Sequence, residues 1–476
     1  MKNSRQYCGE RGSAWSIVGR EDIKLHTGLS PGVLPICYLG VPLHTKKISL
    51  AQCAPLIQSI KAKLPSWTVK KLTYAGRLQL VTSVINGITN FWTISFIIPK
   101  TNGDITANAS ANVAWEICCL AKDKGSLLLR NLDAWNTACA FKMIWLLFFS
   151  NQSIWSSWFR AEILDGNIQM FWVINTSQKH SWLVNKLLDA REIIYPWIRQ
   201  RVQNSETTYF WSTKWSPYGK LSDYLQTVGA MRLPVTKNAT IAEQCENGAW
   251  VVPNARSDRQ LKVISYLTTL SLTDYGDEPE WWPGDQKQPR FQTGKIYDLL
   301  RPSTPTVSWH REVWFSGGIP KHMFLVWLMV KNRCPTRDRI LSWGLQTEPR
   351  CLYNNVSDES IAHCFFECNF TWDIWKTVAL KCCFNSSRQW QTILHQLQQH
   401  STNKVHKTLL LLCWQATLYT LWTERNNRLH NAQYSSSDGL VRQIKQTIKN
   451  RASSLRIDKP KFPSSLLQLW FSTFST

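Results

Sequence analysis

Acidic residues are what this sequence most conspicuously lacks. Across 476 residues, Asp and Glu number 32 against 55 Lys and Arg, a formal charge of +23. No two aspartates stand side by side anywhere in the chain. That absence bears on chemistry, because polymerisation on two metal ions needs clustered carboxylates to align the attacking and leaving oxygens. From Ile23 to Gly103 there is no acid at all, against nine Lys or Arg. A solvated face ordinarily mixes its charges, so a stretch of this kind favours a polyanionic partner, RNA or DNA. The alternative is a basic domain whose acids lie elsewhere. A second basic stretch, Arg442 to Lys461, holds seven Lys or Arg and one Asp.

Other absences narrow the field further. The most apolar runs, Ile144–Phe149 and Leu409–Trp422, fall short of the roughly 20 residues that span a bilayer, and Gln415 interrupts the second. The first thirty residues carry Arg5, Glu10, Arg11, Arg20, Glu21 and Asp22 and no apolar signal-peptide core. No membrane partner is expected, and the expected compartment is the nucleus or cytoplasm. The 14 cysteines form no regular framework and are expected to be mostly free thiols in a reducing compartment. There is no Gly-x-Ser-x-Gly elbow, and the Gly294-Lys295 pair has Pro289 where a phosphate-binding loop needs glycine.

What is present is tryptophan, helical periodicity and one group of soft ligands. Indoles can stack on bases, but 26 Trp residues are expected mainly to fill cores. Pro55 opens a helix with Leu56, Ile57, Ile60 and Leu64 on one face, and Pro65 is expected to stop it. A second helix starts near Thr73, with Tyr74, Leu78, Val81, Ile85 and Ile88 at helical spacing. The candidate phosphate contacts here are Lys61, Lys63, Lys70, Lys71 and Arg77; those of the C-terminal run are Arg442, Lys445, Lys449 and Arg451. Further on, Pro320 suits a first helical position, and Met323, Phe324, Val326, Trp327, Leu328 and Val330 leave that helix almost no polar face. Cys351, His363 and Cys368 then follow in one loop-rich stretch, and thiolate with imidazole is the ligand chemistry of zinc. Leu409–Trp422 reads as a buried helix, continuing into Glu424 and Arg428, which can pair across one turn.

The segment from Trp309 to Trp375 resembles the zinc-binding domain downstream of the reverse transcriptase in non-LTR (LINE-type) retrotransposons, especially those of plants. The residues that carry the resemblance are Ile319-Pro320-Lys321-His322, Arg333-Cys334-Pro335-Thr336-Arg337-Asp338-Arg339, and Cys351, His363 and Cys368. The family pattern is Cys-x-x-Cys, a spacer and His-x-x-x-x-Cys, so Asn354 stands at the fourth ligand position. An amide oxygen is a poor zinc ligand, which leaves that place to water, Cys364 or Cys334. Cys364 adjoins His363, and neighbours in sequence seldom both reach one tetrahedral ion.

A second resemblance, to the region after the polymerase palm in the same elements, rests on Tyr38-Leu39-Gly40-Val41-Pro42-Leu43, Leu64-Pro65-Ser66-Trp67 and Tyr74-Ala75-Gly76-Arg77-Leu78-Gln79-Leu80. It implies a thumb-like grip on a template–primer duplex. The family's Gly-Gly-Leu-Gly-Leu-Arg has become Gly125-Ser126-Leu127-Leu128-Leu129-Arg130, so the turn there is expected to be altered. The Tyr/Phe-x-Asp-Asp of the family's palm is absent.

The expected fold is mainly α with short strands, in several domains. These run as junction sequence (1–27), thumb-like region (28–100), Trp-rich connector (101–230), linker (231–290), zinc-binding-type module (291–385) and helical basic C-terminal region (386–476). The expected function is RNA or DNA binding by a truncated reverse transcriptase remnant, with zinc as cofactor and no catalysis. The rivals are a decayed reading frame or protein-interaction scaffold, and a non-catalytic subunit of a polymerase encoded elsewhere.

Overall fold

The computed structural model describes residues 25, 36–38, 41–43, 47–67, 72–98, 113–150, 153–225, 233–246, 248–251, 254–400, 403–455 and 461–474. Lys70, Lys71 and the polar link 101–112 lie outside these residues. The described chain is mainly helical, with six strands of two to four residues. The helices used below are α1 (Ala54–Trp67), α2 (Tyr74–Leu80), α3 (Asn86–Ser95), α4 (Leu132–Phe149), α5 (Thr293–Leu300), α6 (Pro320–Val330), α7 (Asn369–Lys381), α8 (Lys404–Asn431), α9 (Ser437–Ser454) and α10 (Lys461–Phe474). Two compact units form, each from three stretches of chain. The first draws on Met1–Ile60, Ile88–Asn102 and Leu132–Pro302, the second on Lys61–Gly87, Gly103–Asn131 and Ser303–Thr476.

In the first unit, strands β1 (Ile36–Tyr38) and β2 (Val41–Leu43) pair as an antiparallel hairpin. Helix α1 runs two residues past Pro65, to Trp67, so the expected stop is overturned. Proline there forfeits one backbone hydrogen bond near the helix end, a loss that a terminal turn tolerates better than a helix centre. The α4 helix is apolar around most of its circumference, and Phe141, Ile144, Leu147 and Phe148 are all buried in one core with Phe171, Trp172 and Trp281. Its buried Asn136 ties off the end of α3. The Asn136 amide donates to the carbonyls of Thr93 (2.7 Å) and Phe96 (2.6 Å) and accepts from the Ile98 N–H (2.9 Å).

The stretch Gly276–Pro283, expected within a linker, is structural instead. Glu278–Trp281 pairs antiparallel with Ile198–Arg201, placing Trp281 opposite Ile198. Asp277 accepts hydrogen bonds from the N–H groups of Gln203 (2.6 Å) and Ser205 (3.1 Å) and from the Thr208 hydroxyl. The apparently loop-forming Gly-Asp-Glu-Pro composition is overridden by burial of the Trp that follows it.

In the second unit, α8 is the central rod. Leu409 to Trp414 are all buried, and α6, α7, α9 and α10 pack around it. Gln415, the polar break in this run, is buried too, and its amide donates to the carbonyls of Glu312 (2.9 Å) and Val313 (3.1 Å). Trp327, Trp375 and Trp414 are fully buried, as expected of core-filling indoles. In α6, burial, with the Lys321 charge adding, pushes the His322 imidazole down to about 3. His322 therefore packs as a neutral ring 4.3 Å from Tyr419.

The turn at Gly125–Arg130 is not opened by its lost glycines. Gly125 keeps a φ of 77°, and its carbonyl accepts from the Trp327 indole at 2.9 Å. A Cβ at Gly125 would meet the Trp309 ring at 3.0 Å, so glycine is required for space as well as conformation. Leu128, at the position of another family glycine, takes a φ of 61°. The N–H groups of Leu128 and Leu129 bond to the carbonyls of Leu120 (3.0 Å) and Cys118 (3.1 Å), which hold it there.

Candidate metal centre

Cys351 lies in a tight loop closed by its own backbone. Its N–H donates to the Ser357 carbonyl (2.8 Å), and its carbonyl accepts from the Asn355 N–H (2.9 Å). His363 and Cys368 are brought together differently. Residues His363–Glu367 form one π turn, closed by a 2.9 Å bond from the Cys368 N–H to the His363 carbonyl. A π turn bonds residue i to i+5, so the His-x-x-x-x-Cys spacing is one such turn. Cys368 then becomes the residue that begins α7.

The donor atoms of Cys351, His363 and Cys368 all lie within 4.8 Å of one another, and all three residues are buried. Two sulfurs on one tetrahedral zinc sit about 3.8 Å apart, given Zn–S bonds of about 2.3 Å. The three donors thus need only a small inward shift to share an ion. Of the two thiols, Cys368 is the one shifted toward the thiolate that a metal needs. The Cys351 thiol donates toward Cys368, and the backbone N–H groups of Phe370 and Thr371 add to this, lowering the Cys368 thiol to about 7. Cys351, as the donor and buried, is pushed up.

Asn354 stands at the mouth of this cluster. Its Nδ2 is 3.4 Å from the His363 Nε2, and its Oδ1 accepts from the Val356 N–H at 3.1 Å. The amide thus turns its nitrogen toward the imidazole. Cys364 is buried against Tyr353, where burial and the Glu359 charge push its thiol well up. Cys334 is buried as well, and its thiol is pushed up to about 12 by desolvation. Neither belongs to the group of mutually close donors.

The ligand loop is held by residues whose bracing of it sequence reasoning did not single out. Glu359 is fully buried and pairs with Arg425 of α8 at 2.8 Å, while the same carboxylate accepts the Arg337 N–H at 3.0 Å. Arg337 in turn donates to the Arg350 carbonyl at 2.6 Å, one residue before the first ligand. Arg428 pairs with Glu424 at 2.8 Å, as the spacing implied, and also lies 5.0 Å from the Tyr353 ring and 4.5 Å from Phe370. The Tyr353 hydroxyl donates to the Leu421 carbonyl at 2.6 Å. The polar end of α8 is thus the frame on which the Cys351 loop rests. Glu359 and Arg425 are 66 residues apart, and nothing in their local sequence links them.

The candidate phosphate contacts are divided. Lys61, Lys63 and Arg442 are exposed. The Arg77 guanidinium lies 5.3 Å from the Tyr74 ring. Lys445 lies 5.8 Å from the Phe474 ring and Lys449 5.7 Å from Trp470, both on α10. Arg451 donates to the carbonyls of Gly317 (2.8 Å) and Gly318 (3.0 Å). Three of the four C-terminal cations therefore take part in packing α9.

Residues 291–375 match the family described as zinc-binding in reverse transcriptase, and the Cys351–His363–Cys368 cluster falls inside that segment. That segment is thus similar to the zinc-binding domain of reverse transcriptases. It is also similar to a protein of Arabidopsis thaliana named "Putative ribonuclease H protein", at 19% identity over 360 residues. That alignment covers 71% of this chain and 57% of the relative, so the chain spans little more than half the relative's length. Among the described residues, no helix is long and apolar enough to cross a membrane.

Proposed function

We propose that this chain is a nucleic-acid-binding part of a LINE-type retroelement reverse transcriptase, without polymerase chemistry of its own. The observation that carries this reading is the buried Cys351–His363–Cys368 cluster within the reverse-transcriptase-type segment, in a chain of net charge +23. Cys351, His363 and Cys368 would hold zinc, which when bound supplies a structural cross-link between the Cys351 loop and the start of α7. Phosphate neutralisation by the basic surface supplies affinity with little sequence preference. The absence of any adjacent aspartate pair supports a non-catalytic role.

The test is titration of labelled single-stranded RNA and DNA with the full chain at several salt concentrations. Log affinity should fall by about 0.7–0.9 per phosphate contact for each log unit of salt. Salt-independent binding, or no binding at low salt, would sink the reading. Asn354 favours a second reading for the metal alone, in which the module folds without zinc and the cysteines are a relic. A zinc content near zero in protein purified without chelator would select it.

A further inference from the structure

Within the second unit, α2, α6 and the polar end of α8 border a groove of about 620 Å³. Its floor is apolar, built from Phe324, Leu325, Leu328 and Trp422. Among the described residues no Asp or Glu lines it, whereas Lys321, Arg425 and His430 do. Arg425 is committed to Glu359, so the available cation of the lining is Lys321, which is exposed. Arg77 adds a second through Tyr74, and among the described residues its buried Nε has no hydrogen-bond partner.

Tyr74 is the unusual member of this lining. It is 67% exposed, yet its ring is held nearly parallel to Phe324, at 5.9 Å and 16°. An aromatic ring left in water but fixed in orientation forms a platform, and its ordering is already complete before anything binds. Beyond it, Asn426 and Asn427 use their side-chain oxygens to accept from Arg425 (3.1 Å) and Asn431 (3.3 Å). These amides can still offer a ligand N–H donors. Flat apolar surface, amide donors and cations without acids are together the requirements for an unpaired nucleobase and its flanking phosphates.

We propose that this groove receives an unpaired base of a single strand, stacked at Tyr74 over the apolar floor, with the adjoining phosphates near Lys321 and Arg77. The proposal rests on the nucleic-acid reading above and assigns it a place. An acidic peptide would satisfy the cations but would leave the ring platform without a flat partner.

The experiment compares binding of the full chain to oligouridylate and to an abasic strand of the same length and backbone charge. Wild type should bind the base-bearing strand about 5- to 150-fold more tightly, the range spanned by stacking one base on one aromatic ring. Tyr74→Ala should lose that preference while keeping its affinity for the abasic strand and its salt slope, and Tyr74→Phe should keep the preference. Equal wild-type affinities for the two strands would overturn the groove assignment, leave the nucleic-acid reading standing, and make an acidic peptide the better class of occupant. Full preference retained in Tyr74→Ala would overturn it too. If neither strand binds at low salt, the nucleic-acid reading itself fails and the groove assignment falls with it.

Discussion

Leu128 shows how much a single side chain can be asked to bear. Its φ of 61° belongs to the left-handed region, where a Cβ crowds the following carbonyl at a cost of roughly 1–2 kcal/mol. The side chain is 50% exposed, so little burial offsets that strain. Leu128→Gly should therefore stabilise the second unit by about 1 kcal/mol, after allowing for the greater freedom of glycine in the unfolded chain. A urea midpoint lower than wild type would contradict this. Asn354 is the other residue whose replacement has a clear sign. Asn354→Cys should add the missing thiolate and tighten zinc, read by competition with a chromogenic chelator. Equal affinity in the two proteins would mean that the fourth ligand is already supplied elsewhere, and no affinity in either would mark the cluster as a relic.

Among the elements, α8 matters most because it is both core and frame. Its middle, from Thr408 to Leu418, is buried on all sides, and its C-terminal part brings Glu424, Arg425 and Arg428 to the loop that carries Cys351. The Glu359–Arg425 pair is desolvated at both ends, so removing one partner leaves a buried charge without compensation. Glu359→Gln should cost about 3–5 kcal/mol, seen as lost amide protection across residues 350–368 in hydrogen exchange. Glu348→Gln is the control. Its carboxylate meets Arg337 at 3.4 Å but is 62% exposed, and such pairs are worth about 0–1 kcal/mol. Equal effects of the two substitutions would show that the buried pair does not brace the loop.

At the scale of the whole molecule, the two compact units draw on interleaved stretches of chain, and the ligand cluster lies in the second alone. If zinc is the cross-link of that module, chelation should act on one unit and spare the other. Limited trypsin digestion of the full chain with and without a chelator checks this. New cleavage is expected at Arg350, while the core around Phe141, Ile144 and Phe171 keeps its protection. An unchanged digest from protein shown to lose its zinc would remove the metal from any structural role.

Several features were legible in the residues themselves, because their causes are local. A mainly helical fold follows from 3.6-residue periodicity, and the Glu424–Arg428 pair follows from one turn of helix. The excess of positive charge needs no structure to be counted. Only the tertiary structure decided the rest. It turned Gly276–Pro283 from a linker into a paired strand, because burying Trp281 opposite Ile198 outweighs local turn composition. It consigned Lys445, Lys449 and Arg451 to packing α9, which a count of basic residues cannot foresee. It also joined Glu359 to Arg425 and set Tyr74 upon Phe324. Such pairings depend on which apolar faces meet, and a chain's one-dimensional pattern says that a face must be buried without saying against what.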